Sequence, residues 1–242
     1  VETYAGAVDD LLSELTAQFD PVPEARASEL LRSRWGIEPL AVGRLDTERD
    51  DSFRVRTAAG EFVLKIAHPG DSAEFIGMQV RALRRAHEAG LPVPVIVPTV
   101  EGDDTTLVDG RLARVLTWLA GEPMYTVPYG LEEVRASGSV LGRLAAALRG
   151  LEEPAAHRTF AWDLRSFAEL RGHEHPAALD DVFDRVAALD LGGLPEQVIH
   201  NDFHTGNLLV RPGDPQWIVG ILDFGDALHA TRVQDVAVAL AY

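Results

Sequence analysis

The chain contains no cysteine, which excludes both a disulfide framework and thiolate chemistry. It also has no apolar run approaching the roughly 20 residues of a membrane-spanning helix. Its first residues, Val1-Glu2-Thr3-Tyr4, form neither a basic region nor a signal-like apolar stretch, so a cytoplasmic location is expected. Basic charge is scarce. With 22 Lys and Arg against 38 Asp and Glu, the formal net charge is -16, which disfavours nucleic acid and anionic membrane surfaces as partners. A small cationic molecule is the more natural guest. No Gly-x-Ser-x-Gly elbow, Walker-type Gly-Lys-Ser/Thr or Rossmann glycine fingerprint occurs, and there is no internal repeat or low-complexity segment.

What is present is enough for a folded core: 242 residues, 46% of them hydrophobic. Two segments near the C-terminal end pair an apolar run with a polar knot. The first is Val198-Ile199-His200-Asn201-Asp202-Phe203-His204-Thr205-Gly206-Asn207-Leu208-Leu209-Val210, and the second is Gly220-Ile221-Leu222-Asp223-Phe224-Gly225-Asp226. The apolar runs predict short buried strands at 198–200, 208–210 and 217–222, and the knots fall at strand ends.

Phosphoryl transfer needs a carboxylate to accept a hydroxyl proton and hard oxygen ligands for Mg²⁺. The pattern His-x-Asp-x-x-x-x-Asn followed by Asp-Phe-Gly supplies these parts in the order the kinase fold uses. Asp202 is then the catalytic base, Asn207 and Asp223 the metal ligands, and His200 and His204 supports that orient the loop. The bland alternative makes each a loop residue satisfying its own backbone. His200 and His204 also have the spacing of a helical zinc pair, but Gly206 and the strand-like flanks argue against the helix that pair needs.

Upstream, Val8, Leu11, Leu12 and Leu15 predict a helix in residues 1–20, and a second helix runs from Pro23 through Leu31. From Leu40 to Ile66 the period alternates, with a turn at Ala58-Ala59-Gly60, and places Lys65 inside an apolar strand. A strand lysine either snorkels from an edge or has a charged partner; with the downstream carboxylates it reads as the grip on the nucleotide's phosphates. The loop Asp46-Thr47-Glu48-Arg49-Asp50-Asp51-Ser52 falls where phosphates would be covered but holds no glycine, unlike a protein kinase. Arg49, Thr47 and Ser52 could contact phosphate with side chains instead, or the loop is a solvated turn.

Residues 72–89 predict an amphipathic helix with Phe75, Ile76, Val80, Leu83 and Ala86 inward and Gly90 as its stop. Gln79 takes the inward position, Glu74 is the nearest carboxylate, and the partner of Lys65 is open between them. Val93–Val97 and Leu112–Leu119 read as strands, with turns at 101–104 and Asp109-Gly110. Thr117-Trp118-Leu119 would then link two lobes and meet the purine base, with Trp118 stacking or packing. Beyond Leu131 the pattern is helical: Leu141, Leu144, Ala145 and Leu148 line a core helix in which Gly138 and Gly142 allow close approach. Two shorter helices follow to about Leu191, and a last apolar helix spans 234–242.

These residues resemble the aminoglycoside phosphotransferase and choline kinase superfamily. Within it the chain is similar to the hydroxylysine kinase branch and to the phosphotransferase domain of class-III aminotransferase-like phospho-lyase fusions. The glycine-free loop, Gln79, Trp162-Asp163-Leu164, His200-Asn201-Asp202, Asp223-Phe224-Gly225-Asp226 and Ala241-Tyr242 carry the likeness. It implies an α+β, bilobal protein-kinase-like fold. Residues 1–118 would hold N-terminal helices and a nucleotide-binding β lobe, and residues 119–242 a helical lobe. It further implies ATP or GTP as donor, Mg²⁺, Lys65 on the phosphates, and Asp226 and Asp235 supporting the loop or meeting a substrate amine. The expected acceptor is the hydroxyl of an amino alcohol such as hydroxylysine or ethanolamine. Alternatives are an aminosugar, as in a resistance kinase, or an inactive nucleotide-binding domain. Superfamily members continue with further helices, so a fragment fused to more chain, with a pocket open on one side, is expected.

Overall fold

The computed structural model describes residues 19–47, 49–160, 162–172, 176–189 and 191–242. Val8, Leu11, Leu12 and Leu15, and the helix expected there, lie outside them. The first described helix, α1 (Glu24–Trp35), is entered through Pro23 and closed by Gly36 in the left-handed conformation. It packs Leu30, Leu31 and Trp35 on one face of a six-stranded antiparallel sheet, against Phe53, Val55, Leu64, Ile66 and Val115. The strands are β1 (Ala41–Arg44), β2 (Asp51–Arg56), β3 (Glu61–Ile66), β4 (Ile96–Val97), β5 (Thr106–Val108) and β6 (Arg111–Thr117). They run β1-β2-β3-β6-β4, with β5 also paired to β6.

Three local expectations are corrected here. The strand expected over Val93–Val97 shrinks to Ile96–Val97, because Pro94 and Pro98 have no N–H for a ladder. The strand expected at Leu112–Leu119 is Arg111–Thr117. The Asp109-Gly110 turn, with φ of 50° and 82°, closes a hairpin onto β5, a strand the sequence did not reveal. Gly138 and Gly142 do not permit a close approach, since a Cβ at either would meet nothing within 4 Å.

Helix α2 (Ala73–Glu88) is capped by the Ser72 side chain, which accepts from Phe75 N–H. All five residues expected on its inner stripe are buried. Its apolar face joins a core that continues into α3 (Leu131–Leu148), where Leu141, Leu144 and Leu148 meet Val198, Phe203, Leu208 and Ile221. Helix α2 thus ties the sheet to the helical part of the molecule.

The chain passes from β6 to this second part at Gly121, where a Cβ would lie 2.9 Å from Leu209 Cβ and 3.1 Å from the Val210 carbonyl oxygen. Only glycine lets the linker run this close. The linker then forms β7 (Glu122–Pro123), which pairs with β9 (Leu208–Val210), and β9 pairs with β10 (Ile218–Ile221). A two-stranded sheet joins β8 (Glu196–Ile199) to β11 (Leu228–Thr231). A 3₁₀ helix (Leu164–Gly172), α4 (Asp180–Ala187), α5 (Val233–Ala241) and three shorter 3₁₀ turns complete the described chain. The architecture is α+β, with antiparallel sheets throughout.

Candidate functional site

The chain leaves β8 into a tight loop through Asn201, whose φ of 65° is left-handed. His200 is fully buried at the start of that loop. Its Nε2 lies 2.9 Å from the Leu222 carbonyl oxygen, which can only accept, so Nε2 bears the proton. Nδ1 is then the acceptor for the Asp202 N–H at 3.2 Å. With both ring nitrogens committed, His200 cannot join His204 as a zinc pair. Burial holds its pKa down, to about 4, so the ring is neutral at neutral pH.

Beneath the same loop, Asp235 of α5 accepts the backbone N–H of His200 at 3.2 Å and of Asn201 at 2.7 Å. It is 2% exposed. Burial raises its pKa to about 6, against the pull of those two donors. At that depth it faces the loop backbone rather than a substrate amine.

Asp202 is half-buried and held from two sides. Asn207 Nδ2 donates to its Oδ2 at 2.5 Å and to its backbone carbonyl at 3.0 Å. His204 Nδ1 accepts the Gly206 N–H at 2.9 Å, which leaves the proton on Nε2, 3.2 Å from Asp202 Oδ1. The Asn207 carbonyl accepts the Leu222 N–H at 2.8 Å and joins this loop to the one bearing Asp223.

Asp223 also has a left-handed backbone, with φ of 52°, and its Oδ1 accepts the Gly225 N–H at 3.0 Å. A Cβ at position 225 would meet that oxygen at 2.9 Å, which explains the glycine. Asp223 sits among densely packed groups but keeps 48% of its side-chain surface open. Lys65 Nζ, 3.8 Å from its Oδ2, holds the carboxyl below the ordinary aspartate value, and this outweighs the opposing effect of burial.

Lys65 is the one lysine in the chain. Register pairing aligns Ser52, Lys65 and Arg114 in a row across β2, β3 and β6. Neither expected partner holds the ammonium. Glu74 is exposed, and Gln79, though buried, accepts from Arg114 Nη2 at 2.8 Å. The carboxylates within 4 Å of Lys65 among the described residues are Asp50, at 3.4 Å, and Asp223.

The other expected nucleotide contacts are placed unevenly. Ser52 is the second residue of β2 and is 1% exposed, with its hydroxyl lacking a partner, so it is not presented to a ligand on a loop. Arg49 reaches Asp71 at 2.7 Å. The Thr117 hydroxyl accepts the Val95 N–H at 3.0 Å. Among the described residues Leu119 makes no backbone hydrogen bond, while Trp118 lies under the Arg54 guanidinium at 4.2 Å. Asp226 is half-buried near Arg158.

Three side chains went unnoticed in the sequence. Asp50 and Arg114 join Lys65 in one ion-pair network. Arg158 lies 4.0 Å from the centroids of both Phe75 and Phe160, and its Nη2 donates to the Gly225 carbonyl at 2.9 Å. Burial lowers its pKa to about 10, which leaves it charged. It links helix α2 to the loop after Asp223. The alternation of β6 could have flagged Arg114 as an inward charge; Arg158 falls in no periodic segment.

Among the described residues no three His, Cys, Asp or Glu side chains converge as metal ligands. The candidate donors are one carboxylate, Asp223, and one amide, Asn207, whose nitrogen is committed to Asp202, which leaves its oxygen as the donor. Such a sparse, all-oxygen set suits a hard cation that takes its other ligands from phosphate and water.

Residues 37–242 match the phosphotransferase enzyme family. Hydroxylysine kinase of Mus musculus is 28% identical over 258 residues, covering 90% of this chain and 68% of that protein. Homoserine kinase of Pseudomonas aeruginosa (strain LESB58) is 30% identical over 219 residues, covering 84% and 67%. Among solved structures, an amicoumacin kinase in complex with AMP-PNP and Ca²⁺ superposes with a TM-score of 0.70 at 18% identity, covering 94% of this chain and 70% of that one. No helix among the described residues is long and apolar enough to cross a membrane. With a kinase-like fold, an Asp202 loop bonded through its backbone to a loop whose Asp223 lies 3.8 Å from a strand lysine, and a family match over most of its length, the chain belongs to the phosphotransferase enzyme family, as a small-molecule kinase acting on a hydroxyl acceptor.

Proposed function

We propose that the protein transfers the γ-phosphate of ATP or GTP to the hydroxyl of a small amino alcohol of the hydroxylysine, homoserine or ethanolamine kind. The observation that carries this reading is the Asp202 carboxylate, fixed by Asn207 and His204 on a loop joined through Leu222 to Asp223 and from there to Lys65. Lys65 binds the nucleotide's phosphate chain as a point charge. Asp202 orients the acceptor hydroxyl and takes its proton as the oxygen–phosphorus bond forms and the bridging γ-phosphorus–oxygen bond breaks; the nucleoside diphosphate leaves. Asn207 and Asp223 would hold Mg²⁺, which when bound supplies charge neutralisation on the phosphates. His200 and Asp235 keep the loop backbone in place.

For the acceptor, the support is the pair of relatives, hydroxylysine kinase and homoserine kinase, whose named substrates each carry an amine and a hydroxyl. The excess of carboxylates, at net charge -16, favours an amine-bearing guest. The test is Mg²⁺-dependent transfer from ATP and from GTP to a panel of 5-hydroxylysine, homoserine, ethanolamine, choline and kanamycin. Turnover on an amino alcohol, lost in Asp202→Asn with nucleotide binding retained, is expected. Turnover on kanamycin alone would reassign the acceptor to aminosugars, and silence on every acceptor with nucleotide still bound would point to a binding-only domain.

A further inference from the structure

In a protein kinase the phosphate-gripping lysine is steadied by a glutamate from the neighbouring helix. Here that helix offers Gln79, a neutral amide, and Gln79 is engaged by Arg114. The negative charge comes from elsewhere. Asp50, the last residue before β2, places Oδ2 3.4 Å from Lys65 Nζ and 3.2 Å from Arg114 Nη2. Its side chain is 10% exposed and that of Arg114 4%. Two cations side by side on one sheet face would repel one another at low dielectric, and a carboxylate between them turns the repulsion into a bridge.

Asp223 is a poor candidate for the same task. It is further from the ammonium, it is half open to solvent, and on the reading above its charge is directed at a cation. We propose that Asp50 is the positioning residue for Lys65: a carboxylate delivered by the loop between β1 and β2, held in place by Arg114, whose guanidinium also donates to Gln79, that sets where the ammonium meets the nucleotide's phosphates. Gln79 is a neutral amide that accepts from Arg114 and adds no charge to this network, so the carboxylate shared by the two cations is that of Asp50. The loop is anchored on its other side by Arg49 to Asp71, at 2.7 Å. Folding this loop and placing the lysine are therefore one event.

The inference rests on Lys65 contacting the phosphates, so its test reads both claims separately. Affinity for AMP-PNP with Mg²⁺ is measured by calorimetry on the unaltered protein, Asp50→Asn, Lys65→Met and the double variant. Expected are a weakening of about tenfold from Asp50→Asn alone and no further weakening, within about twofold, when Lys65 is already Met. Gln79→Glu, which supplies a carboxylate from the helix, is expected to restore most of the affinity lost in Asp50→Asn. Should Asp50→Asn not fold, Asp50→Glu keeps the charge one methylene away, and its loss should likewise vanish in the Lys65→Met background.

An equal loss in both backgrounds would make Asp50 a structural residue acting independently of Lys65. Tighter binding in Asp50→Asn would make it a competitor of the phosphates rather than a guide. If Lys65→Met binds as well as the unaltered protein, the phosphate-gripping role of Lys65 fails, and this inference with it.

Discussion

The loop bearing Asp202 is held by two buried titratable groups whose pH dependences oppose each other, and removing one should expose the other. Asp235 has its pKa raised by burial to about 6 from the ordinary 3.8. A raised carboxyl contributes stability that is fully present below its unfolded value and is lost as pH rises through the folded one. His200 has its pKa lowered by burial to about 4 from 6.5. Its contribution is present above 6.5 and is lost as pH falls through the folded value. At about 1.4 kcal/mol per unit, each shift is worth about 3 kcal/mol, and between pH 4 and 6.5 the two nearly cancel.

Asp235→Asn removes the falling arm. Its unfolding free energy should therefore climb between about pH 4 and 6.5 by about 3 kcal/mol more than that of the unaltered protein. His200→Gln should change the climb by a similar amount in the opposite direction. The remaining carboxylates are shared by all three proteins and drop out of the differences. Urea unfolding at half-unit pH steps gives the three profiles. Parallel profiles, agreeing to within about 1 kcal/mol across the window, would refute the reasoning, because neither buried group would then be titrating as its surroundings dictate.

Two further perturbations probe how the site is carried. Arg158→Met keeps the apolar stem but removes the guanidinium between Phe75 and Phe160 and its bond to the Gly225 carbonyl; unfolding should become easier by about 2–4 kcal/mol, with a higher Mg²⁺ requirement and an unchanged acceptor KM. An unchanged Mg²⁺ requirement would show that helix α2 does not steady the Asp223 loop. Gly121→Ala forces a methyl against Leu209 and the Val210 carbonyl and should cost about 1–3 kcal/mol, read from the denaturation midpoint. A neutral result would mean that the linker can yield at this crossing.

The helices at 24–35 and 73–88 were legible because a single amphipathic period sets each one, and the Asp-Gly turn because its backbone has few alternatives. Strands of two to four residues such as Glu122–Pro123 and Leu228–Thr231 carry no period long enough to detect; they exist because a partner strand is already there. The motif residues Asp202, Asn207 and Asp223 announced themselves by spacing. The partner of Lys65 did not. Choosing among Glu74, Gln79 and Asp50 depends on how a loop folds over a sheet face, and Arg114 had already claimed the glutamine. Arg158 is likewise a tertiary fact, defined by two rings and a carbonyl drawn from three separate segments.

That the chain's only lysine is the one in the sheet row has a practical consequence. All the other cationic side chains that stay charged are arginines, which acylating reagents ignore under mild conditions. An amine-directed mass tag on this chain can therefore land on the terminal amine or on Lys65, and on no other side chain. Peptide mapping of a single mass increment then becomes a direct readout of the surroundings of Lys65, in which shielding of that residue by an added molecule is read without any engineered label.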